Sequence, residues 1–124
     1  LPIILELLKN EGFYIACETN GSLPAPKEID FVTTSPKKYT KKKFEPYYID
    51  SQIMNQTQEW KYVVDENFDF KVLDRHKDCH EEITLSLSPE FNSMQKNTET
   101  ILNYIKDNPR WRLSLQTHKW IDIP

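Results

Sequence analysis

The chain has 124 residues, 38% hydrophobic and 28% charged, with a formal net charge of −3. Such a length suits one compact, soluble domain that buries roughly two-thirds of the surface its unfolded form exposes. The charge excludes a global basic field for nucleic acid, and no apolar run approaches the roughly 18 residues that cross a bilayer.

Leu1-Pro2-Ile3-Ile4-Leu5 is broken by Glu6 and lacks a basic leader, so it does not read as a signal peptide. Ile3, Ile4, Leu7 and Leu8 recur at helical spacing to about Asn10, and Gly12 is a C-terminal stop. The pattern opens at Leu1 without a cap or an initiator methionine, as expected of a piece of a longer protein. Phe13 to Cys17 is apolar or aromatic, suiting a strand inside a parallel sheet, and Glu18-Thr19-Asn20 ends it before a turn at Gly21. A Pro-braced loop leads to a short strand over 29–34, which Ser35-Pro36-Lys37 terminates. The lysines from 37 to 43 read as a solvated loop beyond Lys37.

Residues 45–58 permit a short helix through Ile49, Ile53 and Met54, capped by Asp50 or Ser51. Trp60 to Val64 is a strand; Phe70, Val72, Leu73 and His76 suggest a short amphipathic helix; Ile83 to Leu87 is a strand closed by Ser88-Pro89. Asn97 or Thr98 is expected to cap a helix carrying Ile101, Leu102 and Ile105, stopped at Asn108-Pro109, before a last strand from Trp111 to Leu115. Strands separated by helical patterns predict βα units, an α/β fold with a largely parallel sheet. Right-handed crossovers then gather the strands' carboxyl ends on one rim, where ligands bind in such folds. Glu18-Thr19-Asn20, Ser35-Pro36-Lys37, Asp65, Ser88 and Gln116 to Lys119 fall on that rim.

Each polar cluster has an ordinary structural explanation as well. An Asn-Gly strand end is commonly only a turn, and Ser-Pro-Lys serves equally as a strand terminator with a surface lysine. His76 and His80 stand four apart and would share a helix face, a spacing that can serve zinc. No second ligand pair accompanies them and Arg75 and Lys77 oppose a cation, so a solvated helix is expected there and no metal site. Cys17 and Cys79 make no disulfide framework, and a reducing cytoplasm is the expected compartment.

Glu18-Thr19-Asn20-Gly21 with Leu23-Pro24-Ala25-Pro26, then Thr33-Thr34-Ser35-Pro36-Lys37, resemble the strand-end motifs of the 7-carboxy-7-deazaguanine synthases. These are radical S-adenosylmethionine enzymes of the queuosine pathway of tRNA modification. Arg110-Trp111-Arg112-Leu113-Ser114-Leu115-Gln116-Thr117-His118-Lys119, continuing to Ile123-Pro124, resembles the ending of that family almost residue for residue.

The resemblance implies a partial (β/α)6 barrel of the radical S-adenosylmethionine type lacking its N-terminal strands, with residues 1–124 as the C-terminal portion of one domain. It implies that Glu18, Asn20, Ser35 and Lys37 bind S-adenosylmethionine. It further implies that Gln116, His118 and the terminal carboxylate of Pro124, on a docked apolar tail, bind a pterin. The implied reaction is ring contraction of 6-carboxy-5,6,7,8-tetrahydropterin with ammonia loss. The family's Cys-x3-Cys-x2-Cys pattern for a [4Fe–4S] cluster is not in this chain, and the Mg2+ ligand is expected outside it as well. No residue here is therefore expected to be catalytic, and the piece alone is expected to be inactive. A non-catalytic pterin- or nucleoside-binding module is the alternative. Unfinished sheet edges make a homodimer a further expectation.

Overall fold

The computed structural model describes residues 2–38 and 45–115. Helix α1 (Pro2–Asn10) turns Leu5 inward and leaves Ile3, Ile4 and Leu7 exposed. It ends where Gly12 takes φ +83°, and the amides of Gly12 and Phe13 then reach back to the carbonyls of Lys9 and Leu8 at 3.0 and 3.1 Å. This is the paired closure that a left-handed glycine permits at a helix end. Five strands follow: β1 (Ala16–Thr19), β2 (Phe31–Thr34), β3 (Glu59–Val64), β4 (Thr84–Pro89) and β5 (Trp111–Leu113). They form one sheet in the order β1-β2-β3-β4-β5, with β1–β2, β2–β3 and β4–β5 parallel. Helix α2 (Met94–Asp107) links β4 to β5. The α/β fold with a parallel sheet is as the sequence predicts.

The chain divides into two compact units, Leu1–Trp60 and Lys61–Pro124. In the first, Val32, Thr34, Ile53, Thr57 and Trp60 are buried. Asp30 joins the end of α1 to the entry of β1. Its carboxylate accepts Lys9 Nζ at 2.8 and 2.9 Å and the Ile15 amide at 2.7 Å. The hydrogen bond from Lys9, then that from Ile15, holds the carboxyl below the usual aspartate range. In the second unit, Tyr62, Val64, Leu73, Leu85, Leu87, Ile101 and Trp111 form the core. The Tyr62 hydroxyl meets His76 Nε2 at 2.7 Å, and the Tyr62 ring lies edge-on to Phe68 and Trp111.

Several local expectations are corrected. Phe13 and Tyr14 precede β1 and are exposed, and β1 itself begins only at Ala16, with Ala16 and Glu18 exposed and Cys17 and Thr19 half-buried. The segment around Ile53 is a single 3-10 turn (Ile53–Asn55) whose N-cap is Gln52 and neither Asp50 nor Ser51; Asp50, two residues before that cap, accepts the Gln52 and Ile53 amides at 2.9 and 3.3 Å. Helix α2 starts earlier than Asn97, which is itself buried and spends its side-chain amide on the Glu90 carbonyl at 3.2 Å. Thr98 donates back to Met94 within the helix at 2.7 Å. The last strand stops at Leu113.

His76 is the largest departure. It sits on a 3-10 helix (Phe70–His76) and is 1% exposed, where a solvated helix was expected. Burial, aided by the Arg75 charge, pushes its pKa down to about 3. His80 instead faces outward and accepts the Glu82 amide on Nδ1 at 3.1 Å. The two rings are committed to different partners.

A candidate ligand site at the ends of the first two strands

Parallel pairing in the first unit sets Ala16 against Phe31 and, three steps on, Thr19 against Thr34. The two polar runs that follow therefore leave the sheet side by side. The Ser35 amide donates to the Thr19 carbonyl at 2.8 Å and carries the ladder one step past the strands. In the turn after β1, Thr19 Oγ1 accepts the Gly21 amide at 3.2 Å and Asn20 Oδ1 accepts the Ser22 amide at 3.0 Å. Such side-chain closure of a turn is what Thr and Asn supply. It occupies the Asn20 oxygen, while its Nδ2 makes no hydrogen bond among the described residues.

Gly21 stands at φ +81°, and a Cβ there would lie 2.7 Å from Thr34 Cγ2. Thr34 in turn shares a 2.6 Å hydrogen bond with Thr57 Oγ1, which donates to the Ile53 carbonyl at 2.8 Å. The turn, the end of β2 and the 3-10 segment are thus closely fitted.

Ser35 is 3% exposed, and its hydroxyl accepts Lys37 Nζ at 3.0 Å across the stiff Pro36 turn. The ammonium is thereby fixed above the strand end. Glu18 belongs to a different row. The register sets it against Thr33 and sets Thr33 against Glu59, and Thr33 Oγ1 donates to Glu59 Oε1 at 3.1 Å. By the alternation of the pleat this row occupies the face opposite Cys17, Val32 and Thr34. Thr33 falls within the second strand-end motif without an assigned role, and Glu59 lies just before the predicted strand. The signal was present in Glu59-Trp60-Lys61-Tyr62, whose polar and aromatic residues alternate with period two and whose burial alternates with them.

Ser35 and Lys37 are thus brought into contact, Asn20 stands at the neighbouring strand end, and Glu18 lies one residue before that end on the polar face. Gln116, His118 and Pro124 lie outside the described residues. In the second unit, the hydroxyl of Ser88 at the end of β4 is 1% exposed and has no hydrogen-bond partner among the described residues. A buried hydroxyl left open in this way needs a partner from elsewhere.

The polar groups of the first unit suit a zwitterionic ligand with hydroxyls. An ammonium can oppose a carboxylate, carboxylates can accept from an amine or a ribose, and an amide can donate. An iron–sulfur cluster does not fit on this chain. It needs three clustered thiolates, and the chain has two cysteines, both free and half-buried. Burial pushes the Cys17 thiol up, away from the thiolate a metal requires. Among the described residues no group of three or more His, Cys, Asp or Glu is placed to hold a metal ion, and no helix is long and apolar enough to cross a membrane.

No protein-family model matches the chain. Similar proteins are nonetheless clear. The 7-carboxy-7-deazaguanine synthase of Haemophilus influenzae is 36% identical over 129 residues, covering 99% of this chain and 58% of that protein. That of Neisseria meningitidis serogroup B is 33% identical over 134 residues, covering 99% and 58%. That of Flavobacterium psychrophilum is 30% identical over 125 residues, covering 100% and 56%. Among solved structures, the crystal structure of QueE from Escherichia coli superposes with a TM-score of 0.66 at 26% identity, covering 91% of this chain and 48% of that one. The chain spans about half the length of the curated relatives it matches. With matches that run through both strand-end motifs and on across the whole chain, it belongs to the 7-carboxy-7-deazaguanine synthase family.

Proposed function

We propose that this chain is the S-adenosylmethionine- and substrate-binding portion of a 7-carboxy-7-deazaguanine synthase, a cytoplasmic enzyme of the queuosine pathway. The observation that carries the reading is the side-by-side exit of Asn20-Gly21 and Ser35-Pro36-Lys37 from paired parallel strands. In this reading Lys37, steadied by Ser35, opposes the methionyl carboxylate. Glu18 accepts from the methionyl amine or the ribose hydroxyls, and Asn20 donates its side-chain amide. Gln116, His118 and the Pro124 carboxylate provide paired donors and acceptors for 6-carboxy-5,6,7,8-tetrahydropterin. The cofactor, bound with a [4Fe–4S] cluster and Mg2+ held by residues outside this chain, supplies the radical chemistry of carbon–nitrogen bond cleavage. These residues bind and orient; none is assigned to radical generation, and the chain alone is inactive.

The test replaces the matching stretch of the Haemophilus influenzae synthase with this chain and assays the hybrid anaerobically for conversion of the pterin. Turnover that falls at least tenfold with Lys37→Ala supports the reading. A folded, cluster-loaded hybrid without turnover would sink it. The second reading is a pterin- or nucleoside-binding module without catalysis. It predicts the same binding by the isolated chain and no activity in the hybrid.

A further inference from the structure

The segment between the second strand-end motif and the 3-10 turn carries the one non-glycine residue with a positive φ among those described. Tyr47 has φ +56°, a left-handed backbone that bulky residues rarely adopt, yet it is 7% exposed. It follows Pro46 in a turn closed by the Tyr48 amide on the Glu45 carbonyl at 3.1 Å, the place where glycine or asparagine is usual. Its own amide donates to the Lys37 carbonyl at 2.9 Å. Three residues on, the Asp50 amide donates to the Gly21 carbonyl at 2.8 Å. One short segment therefore grips both strand-end motifs by their main chains, and a costly backbone is retained at the point of grip. Strain persists where the surroundings enforce it, and it clusters at ligand sites.

We propose that Tyr47 is a positioning residue for the ligand site, acting through Lys37. The buried Tyr47 ring holds the left-handed turn in place, and the turn so held aims the Tyr47 amide at the Lys37 carbonyl. This fixes the backbone from which the Lys37 ammonium reaches Ser35 Oγ at 3.0 Å and, beyond it, an anionic ligand group. The inference rests on the proposed S-adenosylmethionine site and adds a third segment to it.

The test is anaerobic titration calorimetry, with S-adenosylmethionine, of the cluster-loaded hybrid in which this chain replaces the matching stretch of the Haemophilus influenzae synthase, on the unsubstituted hybrid, Tyr47→Phe, Tyr47→Asn, Lys37→Ala and the Tyr47→Asn/Lys37→Ala pair. Asparagine accepts the left-handed backbone, so the fold is retained while the buried ring that anchors the turn is lost. Circular dichroism identifies any variant that fails to fold, and Tyr47→Gly then replaces it. Tyr47→Phe is expected to bind within twofold of the unsubstituted hybrid and Tyr47→Asn about tenfold more weakly. The paired variant should bind no more weakly than Lys37→Ala alone, since Tyr47 has nothing to position once the ammonium is gone. A Tyr47→Asn loss that persists in full beside Lys37→Ala, or no loss at all, overturns the inference while leaving the site intact. No binding by the unsubstituted, cluster-loaded hybrid overturns the site reading and this inference together.

Discussion

Gly21→Ala is the sharpest test of how the turn after β1 is built. A Cβ at Gly21 would fall 2.7 Å from Thr34 Cγ2, and the backbone there is at φ +81°. Two costs add. The left-handed conformation costs an L-residue about 1–2 kcal/mol, and forcing a methyl into a filled space costs about 1–3 kcal/mol. Thr34 cannot rotate its methyl away freely, because its hydroxyl is tied to Thr57 at 2.6 Å and Thr57 to the Ile53 carbonyl at 2.8 Å. The substitution should therefore destabilise the chain by about 2–5 kcal/mol in urea unfolding. Thr34→Ser removes the opposing methyl and keeps the hydroxyl, at about 1 kcal/mol for the buried methyl. In the double variant the steric part disappears and the conformational part remains, so the cycle should show a favourable coupling of about 1–3 kcal/mol. Additivity within about 0.5 kcal/mol would refute the contact as the reason for the glycine.

Three further outcomes follow from the structure. His76 is held neutral with a pKa of about 3, so the unfolded chain takes up the proton first and stability falls as pH drops below about 6.5. Between pH 7 and 5 the loss should be about 2 kcal/mol, and His76→Gln should remove that part of the slope; an unchanged slope would contradict it. Ile101, fully buried on α2, should cost about 2–5 kcal/mol as Ile101→Ala in the same urea assay, and a change below about 1 kcal/mol would place it outside the core. Asp30→Ala releases both Lys9 Nζ and the Ile15 amide. Hydrogen exchange at Ile15 should accelerate relative to the unsubstituted chain, and equal rates would show that the carboxylate is not what protects that amide.

What was legible in the sequence was what local chemistry decides. Gly12 ends α1, Ser-Pro ends β2, and apolar runs mark all five strands, because each depends on residues that are neighbours in the chain. What was not legible depended on partners distant in sequence. Phe13 and Tyr14 have strand composition, yet they remain exposed before β1, and composition alone does not say where the pairing with β2 starts. His76 has a polar residue's name and a core residue's place. Its burial depends on Tyr62, fourteen residues earlier, presenting a hydroxyl at 2.7 Å, and no periodicity within 70–76 encodes that meeting.

The same distinction separates the two kinds of residue in the candidate site. Ser35 and Lys37 are two apart, and the proline between them makes their contact foreseeable from stiffness alone. Tyr47 meets Lys37 from ten positions further along the sequence. A Pro at the preceding position foretells a turn, but turn chemistry then expects Gly or Asn next, not a tyrosine with a positive φ. Local preference at that position argues against the geometry the fold adopts. Where a local rule is broken and the ring is nevertheless buried, something non-local must repay the strain, and the hydrogen bond to the Lys37 carbonyl joins that break to the second strand-end motif. The motifs name the groups that could touch a ligand; the broken rule marks the segment that holds them in place.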